Sequence, residues 1–146
     1  MTSSNLYIGP PRKAGPFRIR RIDYPPGLRQ PRHSHEAASV TVILSGDIRE
    51  TARSGEATGS ALSVVVKPAG VEHADEVGPR GARTLQVAFA PEVIEEAAGG
   101  AGLGRWRWLD VGPASPPLLR LARMLRSGSA AATQLEDRVL DALARL

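Results

Sequence analysis

The chain has 146 residues and no cysteine, and 42% of its residues are hydrophobic while 23% are charged. This composition can bury a core and excludes the disordered class, and the lack of cysteine excludes disulfide frameworks, thiolate metal sites and cysteine nucleophiles. No apolar run approaches the roughly 18 residues of a membrane span, and the N-terminus lacks the layout of a signal peptide. We therefore expect a cytoplasmic protein with no membrane partner.

The formal net charge of +4 is dispersed rather than concentrated. Of the 19 basic residues, all but Lys13 and Lys67 are arginines, a bias that GC-rich coding explains better than phosphate binding does. The basic residues fall mainly in the N-terminal and C-terminal parts and build no recognition helix. We expect no specific DNA binding from these residues alone.

Short β-rich runs alternate with glycine and proline through the first two thirds of the chain. Four of these runs are predicted as strands: 17–24, 39–45, 61–67 and 84–90. The second is predicted to end at Gly46 and to return through a hairpin over residues 48–51, and residues 78–81 are predicted to form a turn. Residues 1–16 are typical of an extended arm. The pattern predicts a β-sandwich or barrel.

The C-terminal part has a different sequence pattern. Residues 91–98 are predicted to form a short helix, and residues 99–102 a glycine-rich linker. Trp106 and Trp108 share one face of a short strand, and packing is the favoured role for both side chains. Two amphipathic helices follow, the first capped by Ser115 and ended by Gly128, and the second begun by a capping box from Thr133 to Glu136.

The apolar stripe of the second helix needs a partner, because a helix of this length is not stable alone. The stripe consists of Leu135, Val139, Ala142, Leu143 and Leu146. It predicts a homodimer through the C-terminal helices, and the alternative partner is the outer face of the chain's own β-domain.

All three histidines lie in two short segments, His33-Ser34-His35 and, after Pro68-Ala69-Gly70, His73. Residues two apart in an extended chain point to the same face, so His33 and His35 can present both imidazoles in one direction, and His73 can complete a three-nitrogen metal site. Imidazoles suit Zn, Ni or Fe. The same pattern fits hydrogen-bonding pocket walls without a metal, and the sequence leaves both interpretations open.

Two further groups of residues are candidates near the histidines. Asp75 has the same-face spacing from His73 and can supply a ligand or a hydrogen-bond acceptor that orients an imidazole. Alternation along the strand places Ser39, Thr41 and Ile43 on the histidine side, where they would contact a small-molecule effector, while Val40 and Val42 pack against another layer.

The spacing of Gly27, His33 and His35, followed by Pro68, Gly70 and His73, resembles the two motifs of the cupin superfamily. This resemblance implies a mainly β fold, a double-stranded β-helix barrel that holds a metal or ligand in its mouth. Ser39 stands where the first motif carries a metal-binding glutamate, so by this resemblance the carboxylate ligand is missing.

Read over nearly its whole length, the sequence resembles the N-terminal sensory and dimerisation half of AraC-type transcriptional regulators. The resemblance implies an arm over residues 1–16, a cupin barrel over 17–98, and a linker with dimerisation helices over 99–146. It also implies a small-molecule effector, and DNA binding only through a helix-turn-helix domain that these residues do not contain. The alternatives are a stand-alone metal-dependent cupin enzyme, such as a dioxygenase or isomerase, and a ligand-binding or structural cupin without a signalling role.

Overall fold

The computed structural model describes residues 5–90, 92–93 and 103–146. Its nine strands are β1 (Tyr7–Ile8), β2 (Arg12–Ala14), β3 (Phe17–Tyr24), β4 (Arg29–His33), β5 (Ala38–Ala52), β6 (Gly55–Gly59), β7 (Val64–Lys67), β8 (His73–Phe89) and β9 (Arg107–Leu109). Two helices follow, α1 (Ser115–Ser127) and α2 (Ala132–Ala144). The architecture is therefore mainly β with a helical C-terminal part, as predicted. Within the described ranges no helix combines the length and apolar character that crossing a membrane requires.

The sheet is organised around two long antiparallel strands, β5 and β8. The order along its main path is β1-β3-β8-β5-β7-β9, with β2 against β3, β4 against β8, and β6 against β5. The arm therefore lies along β3, because both of its short strands pair there. Strand β8 pairs with β4 through its first residues and with β3 through its last residues. The pairing with β4 brings His33 of the first histidine segment onto the sheet.

The hairpin predicted at Gly46 and the turn predicted at residues 78–81 are both wrong. Strand β5 continues through Gly46, and β8 continues through Gly81, with register shifts near Gly46 on the β5 side. Both glycines have positive φ (83° and 73°), and a Cβ on Gly46 would lie 1.9 Å from the carbonyl oxygen of Gly81. Because these two positions carry no side chain, the bent strands β5 and β8 can pass each other at close range. The irregularity is a β-bulge and not a chain reversal.

The two faces of the sheet bury separate apolar clusters. Val40 and Val42 lie in the larger cluster with both helices, as the alternation predicts. Ile43 lies in a smaller cluster with Ile48, Val77 and Ala82, against which Trp108 packs. One face of the sheet is thus covered by α1 and α2, and the other carries the polar residues described below.

The helix ends differ from the predicted caps by one or two residues. Ser115 is the first helical residue of α1, and its hydroxyl donates to the carbonyl of Leu62 instead of capping the helix. In α2 the capping position is Ala131, whose N–H donates to the side chain of Gln134. Gly128 ends α1 in a left-handed conformation, as predicted.

The apolar stripe of α2 finds its partner within the chain. Leu135, Val139 and Ala142 are at most 1% exposed and Leu143 is 7% exposed, in one cluster with α1 and the sheet. The need to bury this stripe was the argument for a homodimer, and that argument is wrong: α1 and the sheet of the same chain cover the stripe. The predicted helix over 91–98 and the linker over 99–102 lie outside the described residues, apart from Glu92 and Val93, which are helical.

Candidate metal and effector site

Three adjacent strands carry polar side chains at one end of the sheet. Strand β8 lies between β4 and β5, so that His33 of β4 is opposite His73 of β8, and Glu50 of β5 is opposite Asp75 of β8. Opposite residues on antiparallel strands share a face, and so do residues two apart on one strand. The four side chains therefore point to the same side of the sheet.

His35 follows β4 and is held by the second histidine segment. The backbone N–H of Gly70 donates to the carbonyl of His35 at 2.9 Å. Gly70 has a φ of 76°, which the turn after Pro68 requires and which glycine adopts without strain. The Pro-x-Gly turn thus joins the two motifs, a role that the sequence spacing alone does not show.

The structure brings the three predicted histidines together. Their ring centroids lie 4.3 Å apart for His33 and His73, 4.9 Å for His33 and His35, and 5.2 Å for His35 and His73. One nitrogen from each ring lies within 4.8 Å of the others, a spacing that one ion can bridge. The cluster runs from exposed His35 through half-buried His33 to His73, which is 1% exposed.

Two of these rings are fixed in the tautomer that a metal needs. Nδ1 of His33 lies 2.8 Å from the carbonyl oxygen of Pro31, and Nδ1 of His73 lies 3.1 Å from that of Val71. Because a carbonyl can only accept, each Nδ1 carries the proton and donates it, which leaves the Nε2 lone pair free. The Nε2 of His73 is buried with no hydrogen-bond partner. Such a nitrogen can bind a metal ion through its lone pair, which no hydrogen bond within the described residues uses.

The charge state of the imidazoles also fits metal binding. Burial, together with the positive charge of Lys67, lowers the pKa of His73 to about 4. Burial also lowers the pKa of His35, with added repulsion from His33 and Lys67. Ligation requires neutral rings, so these two histidines are ready to bind near neutral pH without losing a proton.

Two carboxyl groups, those of Asp75 and Glu50, lie beside the histidine cluster. Asp75 lies with its Oδ2 at 3.7 Å from Nε2 of His33 and 3.8 Å from Nε2 of His73. Glu50, His73 and Asp75 form a second group whose ligand atoms lie within 4.8 Å of one another. Ser39 does not replace the glutamate of the first cupin motif, but Glu50, from farther along β5, stands beside the histidines.

Besides its contact with Asp75, Glu50 is held by three donors deep in the fold, where it is 1% exposed. Its Oε2 forms an ion pair with Nζ of Lys67, and its Oε1 accepts from the indole N–H of Trp106 at 2.9 Å and of Trp108 at 3.1 Å. Trp108 also packs on the smaller apolar cluster, so its predicted packing role is only part of its function. The two tryptophans position a carboxylate.

The pKa values of this network follow from burial opposed by charge. Burial alone would raise the pKa of Glu50, but Lys67 and hydrogen bonds from Asp75, Lys67 and Trp106 bring it below its usual value. Burial would lower the pKa of Lys67, but the charges of Glu50 and Asp75 raise it on balance. Glu50 and Lys67 are therefore both ionised at neutral pH.

Asp75 has the opposite behaviour from Glu50. Burial raises its pKa to about 7, with Lys67 opposing the shift and the charge and hydrogen bond of Glu50 adding to it. The hydrogen bond raises the pKa of Asp75 and lowers that of Glu50, so Asp75 holds the proton and donates it. Its Oδ1 is buried and has no hydrogen-bond partner. Below a pH of about 7 the pair thus holds one proton and one negative charge beside the histidines.

The predicted effector residues lie on β5 above this cluster. Ser39 is opposite Lys67 of β7, and Thr41 is opposite Gln86 of β8, whose side chain accepts from Arg20 at 2.9 Å. Ser39 and Thr41 are buried, as is Ile43, which lies in the smaller apolar cluster. No ligand contact of these three residues is established, and their role stays a prediction.

Glu50 and Lys67 are the residues of the candidate site that sequence reasoning missed. Each residue left a signal in the sequence. Glu50 lies two positions after Ile48, a core residue, so alternation along the strand places both side chains on the same face. Lys67 is one of only two lysines in an arginine-rich chain. The predicted hairpin at Gly46 hid the first signal, because it assigned Glu50 to a separate strand.

Solved structures define the class of fold. A cupin superfamily protein from Desulfitobacterium hafniense superposes with a TM-score of 0.53 at 16% identity, over 62% of this chain and 82% of that protein. A cupin domain from Schizosaccharomyces pombe gives 0.52 at 17% identity, over 66% and 76%. The fold is therefore the cupin fold. No protein-family model and no curated protein matches the sequence.

The fold similarity extends beyond the β-domain in one of these comparisons. The AraC-like transcriptional activator CuxR superposes with a TM-score of 0.69 at 13% identity, over 93% of this chain. The fold resemblance to an AraC-type regulator is thereby confirmed. The chain spans only 55% of the length of that activator.

Proposed function

We propose that the chain is the effector-binding cupin domain of an AraC-type transcriptional regulator, with its ligand site at the cluster of His33, His35 and His73. The observation that carries the proposal is the free, buried Nε2 of His73 facing two further imidazoles and a carboxyl pair. The comparison with CuxR supports the regulator class, because it covers the helices as well as the strands, whereas the two cupin comparisons cover at most 66% of this chain.

The three imidazoles would hold a divalent Zn, Ni or Fe ion, with Asp75 as a further ligand. Such an ion supplies Lewis acidity that attracts an oxygen or nitrogen donor of an effector. The chain's own residues do the rest: Pro31 and Val71 fix the ring tautomers, and Lys67 keeps Glu50 ionised beside the site. Ser39, Thr41 and Ile43 would contact the effector.

Metal analysis of the untagged chain tests the site. After loading with Zn²⁺ and dialysis, we expect one zinc per chain in the wild type and in Ser34→Ala, which alters the exposed residue between His33 and His35. His73→Ala and His35→Ala should each lose most of the metal. His35 is exposed, so His35→Ala serves even where His73→Ala unfolds. Equal, substoichiometric zinc in all four proteins would show that the histidines line a pocket for an organic effector without a metal.

The proposal includes a homodimer, and DNA binding through a helix-turn-helix domain outside this sequence. The buried stripe of α2 is not free to form the dimer, so the surface that remains is its outer side, where Leu140 is 39% exposed. We expect Leu140→Glu to shift sedimentation equilibrium of a dimeric chain toward monomer, whereas Thr133→Glu, also exposed on α2, should not. A chain that sediments as a monomer would remove the dimer from the proposal.

A metal-dependent cupin enzyme is the second candidate, and one observation favours it. A carboxyl group with a pKa near 7 beside three imidazoles is suited to general acid–base catalysis, and Asp75 is such a group. For a dioxygenase, the Fe²⁺-loaded chain should consume oxygen with a panel of catechols, and Asp75→Asn should slow this uptake. Uptake no faster than that of free Fe²⁺ would argue against a dioxygenase.

A further inference from the structure

A cavity lies on the face of the sheet opposite the histidine cluster, between the N-terminal arm, the sheet and α1. Its volume is about 800 Å³, within the range of small-molecule sites. Gly9, Pro10 and Pro11 form one wall, at the point where the arm leaves the sheet between β1 and β2. The N–H of Gly9 still donates to the carbonyl of Arg21 in β3 at 2.8 Å, but Pro10 and Pro11 have no N–H to donate, so the backbone pairing is interrupted there. None of the lining residues belongs to the histidine cluster.

The rim of this cavity is strongly basic. Four arginines from four different elements line it: Arg12 of β2, Arg21 of β3, Arg83 of β8 and Arg126 of α1. No acidic residue is among the lining residues, and Arg21 binds the carboxylate of Asp23 at 2.9 and 2.5 Å. Counting Asp23, the rim retains a net charge of about +3, which attracts an anion.

The arginines differ in how they are held. A guanidinium nitrogen of Arg12 donates to the carbonyl of Ala130, in the loop between the two helices. Arg83 and Arg126 are exposed side chains of β8 and α1. Guanidinium groups bind carboxylates and phosphates through paired, charge-assisted hydrogen bonds, so flexible arginines on two walls can close on one anionic group.

The floor of the cavity is apolar. Leu44 of β5 and Leu85 of β8 form its base, and Ala122 and Leu125 of α1 form the helical side. Leu85 is 1% exposed and belongs to the larger core, whereas Leu44, Ala122 and Leu125 are only partly buried against it. A ligand here would cover an apolar surface that the chain leaves partly open.

We propose that this cavity binds an organic anion with an apolar body, its carboxylate or phosphate held by the arginines and its body on the leucine floor. The site is separate from the histidine cluster and does not depend on a metal there. A bound ligand would contact the arm, the sheet and α1 at once. Occupancy would therefore fix the position of α1 relative to the arm, which is a form of regulation that the cupin interior does not supply.

Calorimetric titration of the full chain with decanoate tests the site. We expect saturable binding of one decanoate per chain, and binding at least tenfold weaker for decanol, which lacks the charge, and for acetate, which lacks the apolar body. Arg83→Gln combined with Arg126→Gln should weaken decanoate binding about tenfold or more, because two guanidinium contacts are lost. The matched control combines Arg80→Gln with Arg123→Gln, which alters exposed arginines of the same strand and helix outside the cavity.

Three results would overturn the proposal. Equal affinity in the two double variants would mean that the rim arginines do not bind the anion. Loss of decanoate binding in His35→Ala, which alters an exposed side chain, would place the ligand at the histidine cluster. Equal binding of decanol would mean a purely apolar site. Because the histidine variants are tested with decanoate as well as with zinc, failure of this site and failure of the metal site are distinguishable.

Discussion

Replacing Lys67 with methionine isolates the ion pair that supports the candidate site. The substitution removes the only cation bound to Glu50 among the described contacts and leaves a carboxylate that is 1% exposed. Breaking one partner of a buried pair costs about 3–5 kcal/mol. Glu50 keeps the donors Trp106 and Trp108, so we expect the lower part of that range, a loss of about 3 kcal/mol in the free energy of unfolding at pH 7.

Urea denaturation followed by tryptophan fluorescence measures this loss. Lys13→Met is the matched control, because Lys13 is the other lysine of the chain and is exposed; its change should stay within about 0.5 kcal/mol. Adding Glu50→Gln to Lys67→Met should restore most of the stability, since the amide still accepts from both indoles and carries no charge. A loss below about 1 kcal/mol in Lys67→Met would refute the assignment of Glu50 as an ionised, buried partner.

The pH dependence of this variant has a defined sign. In the wild type the pKa of Glu50 is depressed, so its contribution is present above the unfolded pKa and is lost as pH falls through the folded value. Without Lys67, burial is less opposed and raises the pKa of Glu50. The deficit of Lys67→Met should therefore shrink as the pH is lowered, because protonation removes the buried charge.

Two further predictions concern Asp75 and the glycine bulge. Because burial raises the pKa of Asp75 to about 7, ionised Asp75 destabilises the metal-free fold above that pH. Asp75→Asn should therefore raise the free energy of unfolding, measured by urea denaturation, by about 2–4 kcal/mol at pH 8. This gain in stability should vanish as the pH falls toward 4. A variant less stable than the wild type at pH 8 would contradict the prediction. Gly46→Ala should lower the free energy of unfolding, measured by thermal denaturation, by more than about 3 kcal/mol, because the new Cβ would meet the carbonyl of Gly81. Gly27→Ala should lower it by about 1 kcal/mol, because Gly27 has a φ of 70° but open space around it. Equal losses in the two variants would contradict the close crossing of the strands.

Local patterns predicted the elements whose cause is local. The strand at Phe17–Tyr24 and the left-handed end of α1 at Gly128 follow from alternation and from glycine chemistry, and the structure confirms both. His33 and His35 were identified for the same reason, since same-face spacing on extended chain is a local property, and His73 was identified by its position after the Pro68-Ala69-Gly70 turn.

Features that depend on long-range pairing were missed. Gly46 signals a turn in the sequence, and only its contact with Gly81, 35 positions along the chain, makes it a bulge within a continuous strand. That continuity places Glu50 opposite Asp75 and so supplies the carboxylate pair. The partner of the α2 stripe was ambiguous for the same reason, because an apolar stripe does not specify which surface covers it.

Anomalous X-ray diffraction from crystals of the untagged chain grown with Zn²⁺ tests the central claim most directly, because it locates the ion and not only its stoichiometry. We expect one strong zinc peak at about 2.0–2.1 Å from the Nε2 atoms of His33 and His73 and from one ring nitrogen of His35. A map without a peak at the three imidazoles, or with zinc only at surface carboxylates, would contradict the claim that these histidines form a metal centre.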